Sequence, residues 1–162
     1  MSAKLLRKVI GNIGQFPLSE LEKLIGEGLH ESDIYRTLLD SLPEGHVIVT
    51  RDHRVVFVSK AMSRLIPADR RYRLREGVRI ESSVFDKDVK DYMIAVLSGK
   101  ERAEARDFAF QAGEGASVMR VSFRTFEVDD ESLTDITVRD ITEEINKETK
   151  LRRSESLASM TT

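Results

Sequence analysis

Residues 133–145, LTDITVRDITEEI, decide the fold of this chain. Residues 134–139 alternate β-branched apolar and polar side chains, which is typical of a strand with one buried face. The alternation stops at residues 140–142, and Glu143 follows three positions after Asp140. An aspartate with a glutamate three residues on indicates a helix N-terminus, with Asp140 as N-cap and Glu143 completing a capping box. The segment therefore predicts a strand that passes directly into a charged helix through one capped joint.

The preceding residues predict four more strands with a helix among them. Two β-branched runs, residues 45–50 and 54–59, flank Arg51-Asp52-His53. This is a hairpin signal, and His53 takes a turn position that often requires positive φ. Next come a helix over residues 86–98, capped by Asp86 and ended by Gly99, and strands over residues 105–111, 117–128 and 133–139. Antiparallel runs with helices gathered between them predict an α+β fold, a five-stranded antiparallel sheet with small helices on one face.

Three short amphipathic helices are expected before the sheet. Residues 1–14 carry a helical apolar stripe, a second helix starts at Ser19, and a third covers residues 32–42 before Pro43. Helices this short are marginal alone, so they must dock on the domain or on a second copy of themselves. The predicted organisation is N-terminal helices over residues 1–42, a domain over residues 43–142, and an output helix over residues 143–162.

Composition limits the classes of function. The 162 residues carry a net charge of −2, so no overall positive field attracts nucleic acid or an anionic membrane. There is no cysteine, which excludes disulfides, thiolate zinc sites and thiol catalysis. Apolar runs fall far short of the ~20 residues of a membrane helix, and the N-terminus lacks the apolar core of a secretion signal. We expect a cytoplasmic protein with no membrane insertion and no nucleic acid partner.

The hairpin VIVTRDHRVVFVSKA, residues 47–61, resembles the first two strands of PAS sensor domains and the entry to their small helices. His53 stands where the family has a turn glycine, and Ser59 where an asparagine is frequent. The closing Asp140-Ile141-Thr142 resembles the family's motif between the last strand and the output helix. The resemblance covers residues 36–142 and implies a PAS fold with a C-terminal signalling helix. It also implies that the signal-coupling residues are Asp140, Ile141, Thr142 and Glu143.

The tail LRRSESLASMTT, residues 151–162, resembles the run that leads into the dimerisation helix of sensor histidine kinases. This implies the N-terminal sensor fragment of a two-component histidine kinase, non-catalytic in itself. It also implies a kinase domain downstream in the parent chain and a response regulator as the next partner. We expect a homodimer that forms through the N-terminal helices. The alternative is a PAS dimerisation or scaffold module that senses no ligand.

Two groups of residues are candidates for ligand binding. The apolar inward face of the sheet either fills a core or lines a cavity, and periodicity does not separate the two; its members are Val47, Val49, Phe108, Phe110, Met119, Val121 and Phe123, with Phe57 added. The arginines that flank the ligand cavity in the family are candidates to clamp the carboxylate of a small organic acid; they are Arg70, Arg71, Arg73, Arg75 and Arg79. Their alternative is a solvated loop paired with Asp69, Glu76 and Glu81.

Neither a catalytic nor a metal site is expected. The histidines are His30, His46 and His53. His46, on the first strand, is the one that could face a pocket. No residue at a spacing typical of a catalytic or metal site accompanies it. Haem-binding PAS domains place the axial histidine on or just after the longer helix, and residues 86–100 contain none. Flavin-cysteinyl adducts and hydroxycinnamate need a cysteine. No cofactor is expected, while a small organic ligand stays open.

Overall fold

The computed structural model describes residues 3–13, 18–65, 74–83, 86–112 and 115–161. The helices are α1 (Ala3–Ile13), α2 (Leu18–Gly26), α3 (Glu31–Ser41), α4 (Lys60–Leu65), α5 (Lys87–Leu97) and α6 (Thr142–Met160), with a 3-10 turn at Ile80–Ser82. The strands are β1 (Gly45–Thr50), β2 (Val55–Val58), β3 (Arg106–Ala112), β4 (Gly115–Val128) and β5 (Glu131–Asp140).

The five strands form one antiparallel sheet in the order β2-β1-β5-β4-β3. The predicted α+β architecture is therefore confirmed. The strand that precedes the joint, β5, lies at the centre, between β1 and β4. Ile136 pairs with Val47 on one side and with Phe123 on the other. Because β5 is hydrogen-bonded along both edges, its position is set by the whole sheet.

Local signals fix several element ends. Asp86 is the N-cap of α5, and its carboxylate accepts from the Asp88 N–H at 2.9 Å. His53, in the hairpin turn, has a φ of 65°. Both predictions are confirmed, because a cap and a tight turn are decided by residues adjacent in sequence.

The two faces of the sheet are covered by different helices. On the inner face, Met62 of α4 and Met93 of α5 join the apolar side chains of the central strands in one buried cluster. On the outer face, Leu6 and Val9 of α1 are each 1% exposed and pack on the sheet. α1 thus docks on the domain of its own chain.

Phe57, one of the candidate lining residues, lies on the outer face of the sheet. β2 pairs with β1 through Ile48↔Phe57, and the register shifts between Ile48 and Val49. This irregularity places Phe57 in the outer-face cluster with Leu6, whereas Val55 belongs to the inner one. A bulge reverses the alternation of a strand, so sequence alternation alone does not fix the face of Phe57.

α6 is the most exposed element. None of its described residues is buried, and Leu151, Leu157 and Met160 are 63%, 65% and 80% exposed. It contacts β4 at its start, and Glu144 in its first turn contacts Arg139 of β5. Among the described residues, no helix combines the length and apolar character that a membrane crossing requires.

Candidate functional site

The strand–helix joint, residues 140–142, is tied to the neighbouring strand β4 by a chain of hydrogen bonds. One carboxylate oxygen of Asp140 accepts from the Thr142 N–H at 2.9 Å and from the Thr142 hydroxyl at 2.6 Å. The Thr142 hydroxyl oxygen in turn accepts from the Val118 N–H at 2.9 Å. The Ile141 N–H donates to the Val118 carbonyl, also at 2.9 Å. Both backbone groups of Val118 are therefore held by the residues that begin α6.

Ile141 anchors the joint in the interior. It is 1% exposed, and its carbonyl accepts the first helical hydrogen bond, from the Ile145 N–H at 3.0 Å. A buried apolar side chain resists movement of the helix start, because its exposure would cost roughly 1.5–3 kcal/mol. The joint therefore combines a hydrogen-bonded attachment with an apolar one.

The capping prediction was wrong in detail. The N-cap is Ile141, and α6 begins at Thr142, one residue later than an Asp140 cap implies. Glu143 does not complete a capping box; its carboxylate lies 3.7 Å from Lys147, and its side chain is 90% exposed. The physical reason is that Ile141 still pairs with β4, so Asp140 remains in the strand and its carboxylate holds Thr142.

A second contact links the last strand to the first turn of the helix. The Arg139 guanidinium donates to the Glu144 carboxylate at 3.2 Å. Arg139 pairs across the sheet with Arg120, whose guanidinium makes two hydrogen bonds to Asp107, at 2.7 and 2.9 Å. These two bonds hold the pKa of Asp107 below its ordinary value of 3.8.

His46 has a partner that sequence reasoning missed. Its Nδ1 lies 3.1 and 3.2 Å from the two carboxylate oxygens of Asp135. His46 is 1% and Asp135 3% exposed. The carboxylate can only accept, so Nδ1 carries the proton. Strand alternation in the sequence predicts that Asp135 lies on the opposite face of the sheet from Ile136 and Val138. The contact with His46 could not be predicted, because it depends on the register between β1 and β5.

These residues line an open groove of about 310 Å³ on the outer face, beside the area covered by α1. The outer-face groove is defined by Glu44, His46, Ser122, Arg124, Asp135 and Thr137, with Arg120 and Arg139 at one edge. Its floor is a row of neighbours across three strands, since Thr137 pairs with His46 and with Ser122. Short hydroxyl side chains flanked by long arginines account for the depression.

Comparison with solved structures identifies the fold. The PAS domain of BvgS from Bordetella pertussis is similar to this chain with a TM-score of 0.50 and 17% identity, over 75% of this chain and 96% of that one. The chain has a PAS fold. The PAS domain of an HTR-like protein from Haloarcula marismortui is 20% identical, with a TM-score of 0.44 over 68% and 96% of the two chains. A sensory box histidine kinase/response regulator from Burkholderia thailandensis is 10% identical, with a TM-score of 0.45 over 78% and 98%. No family model and no curated protein matches the chain.

The inward residues of the PAS sheet are packed together. Val47, Val49 and Val121 are fully buried, and Met119 is 7% exposed. The aromatic members are partly buried against this cluster; they are Phe108, Phe110 and Phe123. The ring of Tyr92, on α5, lies 5.7 Å from that of Phe108 and 5.6 Å from that of Phe123. The seven residues predicted to face inward are thus brought together on the inner face, whereas Phe57, the remaining candidate lining residue, lies in the outer-face cluster.

The arginine clamp of the PAS domain is not assembled by the described residues. Arg70, Arg71 and Arg73 lie outside them, and Arg75 is exposed. Arg79 lies 3.3 Å from Glu81, which also contacts His53. Burial raises the pKa of Glu81, but the hydrogen bonds from Arg79 and His53 outweigh it and leave the pKa below its ordinary value of 4.5. Arg79 therefore matches the alternative prediction of a surface ion pair.

No metal centre is formed in the part of the chain that the structure describes, since no three histidine, aspartate or glutamate side chains converge there. The most organised polar arrangements are the strand–helix joint and the outer-face groove.

Proposed function

We propose that this PAS domain is the sensory module of a cytoplasmic histidine kinase and relays its state to the kinase through α6. The observation that carries the proposal is the joint, where Val118 of β4 is held through both its N–H and its carbonyl by Thr142 and Ile141. The resemblance of residues 151–162 to the run before a kinase dimerisation helix supports the histidine kinase as output. Catalysis would then belong to the downstream kinase domain, and a response regulator would accept the phosphoryl group.

The relay follows from how the joint is built. A shift of β4 along β5 moves Val118, and the start of α6 must then follow or lose two hydrogen bonds. The Asp140 carboxylate stiffens this link, because it holds both the N–H and the hydroxyl of Thr142. A coupling free energy of about 1–3 kcal/mol between sheet and helix changes an output by roughly 5- to 150-fold.

A homodimer is part of the proposal. The described surface of α6 exposes Leu151, Leu157 and Met160. Leu157 and Met160, three residues apart, are neighbours on one side of the helix. Contact with a second copy at this pair would bring two output helices side by side. Among residues 1–42, Ile25 on α2 is 59% exposed and supports a contribution of the N-terminal helices to the same dimer.

One observation favours a second candidate, a scaffold module that dimerises and senses no ligand. Val47, Val49 and Val121 are fully buried within one apolar cluster. A filled interior leaves the inner face without room for a ligand at these residues. The two candidates differ in whether the joint controls the kinase or merely connects it.

The test uses the full-length parent kinase with the variant Thr142→Val. We expect the basal autophosphorylation rate to change several-fold, because the bond from Val118 is lost while the fold is kept. The matched control is Thr149→Val, which removes a hydroxyl that donates only to the Ile145 carbonyl on the same helix. Equal rates for both variants and wild type would contradict the relay. If sedimentation shows that Thr142→Val has lost the dimer, the change in its autophosphorylation rate would instead favour the scaffold.

A further inference from the structure

The outer-face groove contains chemistry that the relay does not use. α1 covers one part of the outer face, where Leu6 packs with Ile48 and Leu133. The remaining part, around the His46–Thr137–Ser122 row, is open. A polar depression on an otherwise helix-covered sheet is a candidate binding site, because it has convergent polar groups and a shaped floor.

Two opposite charges in the groove, Arg124 and Glu44, make no hydrogen bond within the described residues. Arg124 lies opposite Asp135 in the β4–β5 register, and that carboxylate is held by His46. Arg124, on β4, is exposed and makes no ion pair or hydrogen bond within the described residues. Glu44, just before β1, has only His46 Nε2 near it among described residues, at 4.0 Å, too far for a hydrogen bond. The other arginines of the groove are matched, Arg120 by Asp107 and Arg139 by Glu144. Among the described residues of the groove, Arg124 on the β4 side and Glu44 on the β1 side are therefore the charges that form no hydrogen bond.

His46 adds an unsatisfied buried atom at the anionic end. Its Nδ1–H is committed to Asp135, and in the neutral imidazole Nε2 is then an acceptor. Nε2 is buried and has no hydrogen-bond partner among the described residues. A buried acceptor without a donor is unfavourable. A donor that enters beside Glu44 would satisfy Nε2 and the carboxylate together.

We propose that the outer-face groove binds a small zwitterion of the amino-acid class. The ammonium group lies between Glu44 and Nε2 of His46, and the carboxylate binds the guanidinium of Arg124. The hydroxyls of Ser122 and Thr137 lie between the two ends. A simple anion would meet the carboxylates of Glu44 and Asp135, and a simple cation would meet the arginines, so both charges are needed on one molecule.

The spacing of the strands sets the size of the ligand. β1 and β4 are separated by β5, about 9.5 Å between their backbones. The registers place Arg124 level with Ile48, whereas Glu44 precedes Gly45, which is level with Val121. The two charges therefore lie diagonally across the groove, with His46, Thr137 and Ser122 between them, and the side chains must reach toward each other to hold one molecule. An amino acid whose ammonium and carboxylate are separated by one to three carbons spans such a gap.

The test is a ¹H–¹⁵N NMR titration of the 162-residue chain with glycine, β-alanine and 4-aminobutyrate. Acetate and methylamine, which carry one charge each, are the comparison ligands. We expect saturable shifts of the Ser122 and Thr137 amides, with at least one amino acid binding tenfold or more tightly than acetate and methylamine.

Variants assign the two ends. Glu44→Gln and Arg124→Gln are each expected to weaken binding of that amino acid at least tenfold. Arg64→Gln is the control, an exposed arginine on α4, and is expected to leave it unchanged. Acetate binding as tightly as the amino acids, binding that survives both groove variants, or no saturable shift would each overturn the proposal. Because no kinase is present, such a failure leaves the test of the relay unaffected.

Discussion

Thr142→Val in the isolated chain tests the joint at the level of a single hydrogen bond. Valine keeps the β-branched shape of threonine and a similar helix propensity, so the fold and the start of α6 are retained. The hydroxyl that is lost accepts from Val118 N–H at 2.9 Å and donates to Asp140 at 2.6 Å. The change thus removes one of the two hydrogen bonds between the joint and β4 without removing packing.

The expected magnitude follows from what each partner loses. The Val118 N–H is partly buried and is left without an acceptor, which costs about 1–2 kcal/mol. The lost hydroxyl bond to Asp140 is exposed and adds about 0.5 kcal/mol. The total of about 2 kcal/mol corresponds to a roughly 30-fold higher population of the detached joint.

Native-state hydrogen exchange read at individual amides is the assay. The Val118 N–H is expected to exchange about 30-fold faster in Thr142→Val than in wild type. Amides in the centre of β1 are expected to change less. Thr149→Val is the matched control, since its hydroxyl bonds at 2.8 Å to Ile145 on the same exposed helix. The reasoning is refuted if Val118 exchange is unchanged, or if both variants accelerate it equally.

Gly45→Ala is expected to lower the free energy of unfolding by about 1–3 kcal/mol in urea, because a Cβ would lie 2.8 Å from the Met62 Cα; an unchanged midpoint would show that the backbone can yield. Leu6→Ala is expected to cost about 2–4 kcal/mol, since its side chain is 1% exposed under α1. Leu157→Ala, 65% exposed, serves as its control, and equal losses would argue against docking of α1. The lowered pKa of Glu81 means that its carboxylate stabilises the fold above pH about 4.5 and that this contribution is lost as the pH falls through the folded pKa. Glu81→Gln should therefore reduce the pH dependence of the unfolding free energy between roughly pH 5 and 3. A pH dependence equal to that of wild type would contradict this.

Several elements were predictable because local chemistry decides them. β1 has the predicted bounds, Gly45–Thr50, and Asp86 caps α5 as expected. β5 extends from Glu131 to Asp140, beyond the predicted 133–139. The extra residues are held by pairing with β4, as in Val128↔Glu131. The limits of a strand thus depend on its partner as well as on its own alternation.

The candidate site also combines contacts between neighbouring residues, which the sequence predicts, with contacts that depend on strand pairing. Asp140 and Thr142 stand out in the sequence as a helix start, and a cap is a contact between neighbours. Their attachment to Val118, 24 residues away from Thr142, depends on the β4–β5 register. Asp140 therefore stays in β5 and accepts hydrogen bonds from Thr142, instead of being the N-cap of α6.

By itself, the sequence determined the order of strands and helices, the two faces of most strands and the place where β5 becomes a helix, because these follow from periodicity and from contacts within a few residues. The tertiary structure alone decided which polar side chains meet. His46 and Asp135 are 89 residues apart, and the facing of each is set by alternation. Their contact required the β1–β5 register, and their burial required the sheet around them, because a hydrogen bond between distant residues exists only once the chain has brought its two atoms within about 3 Å.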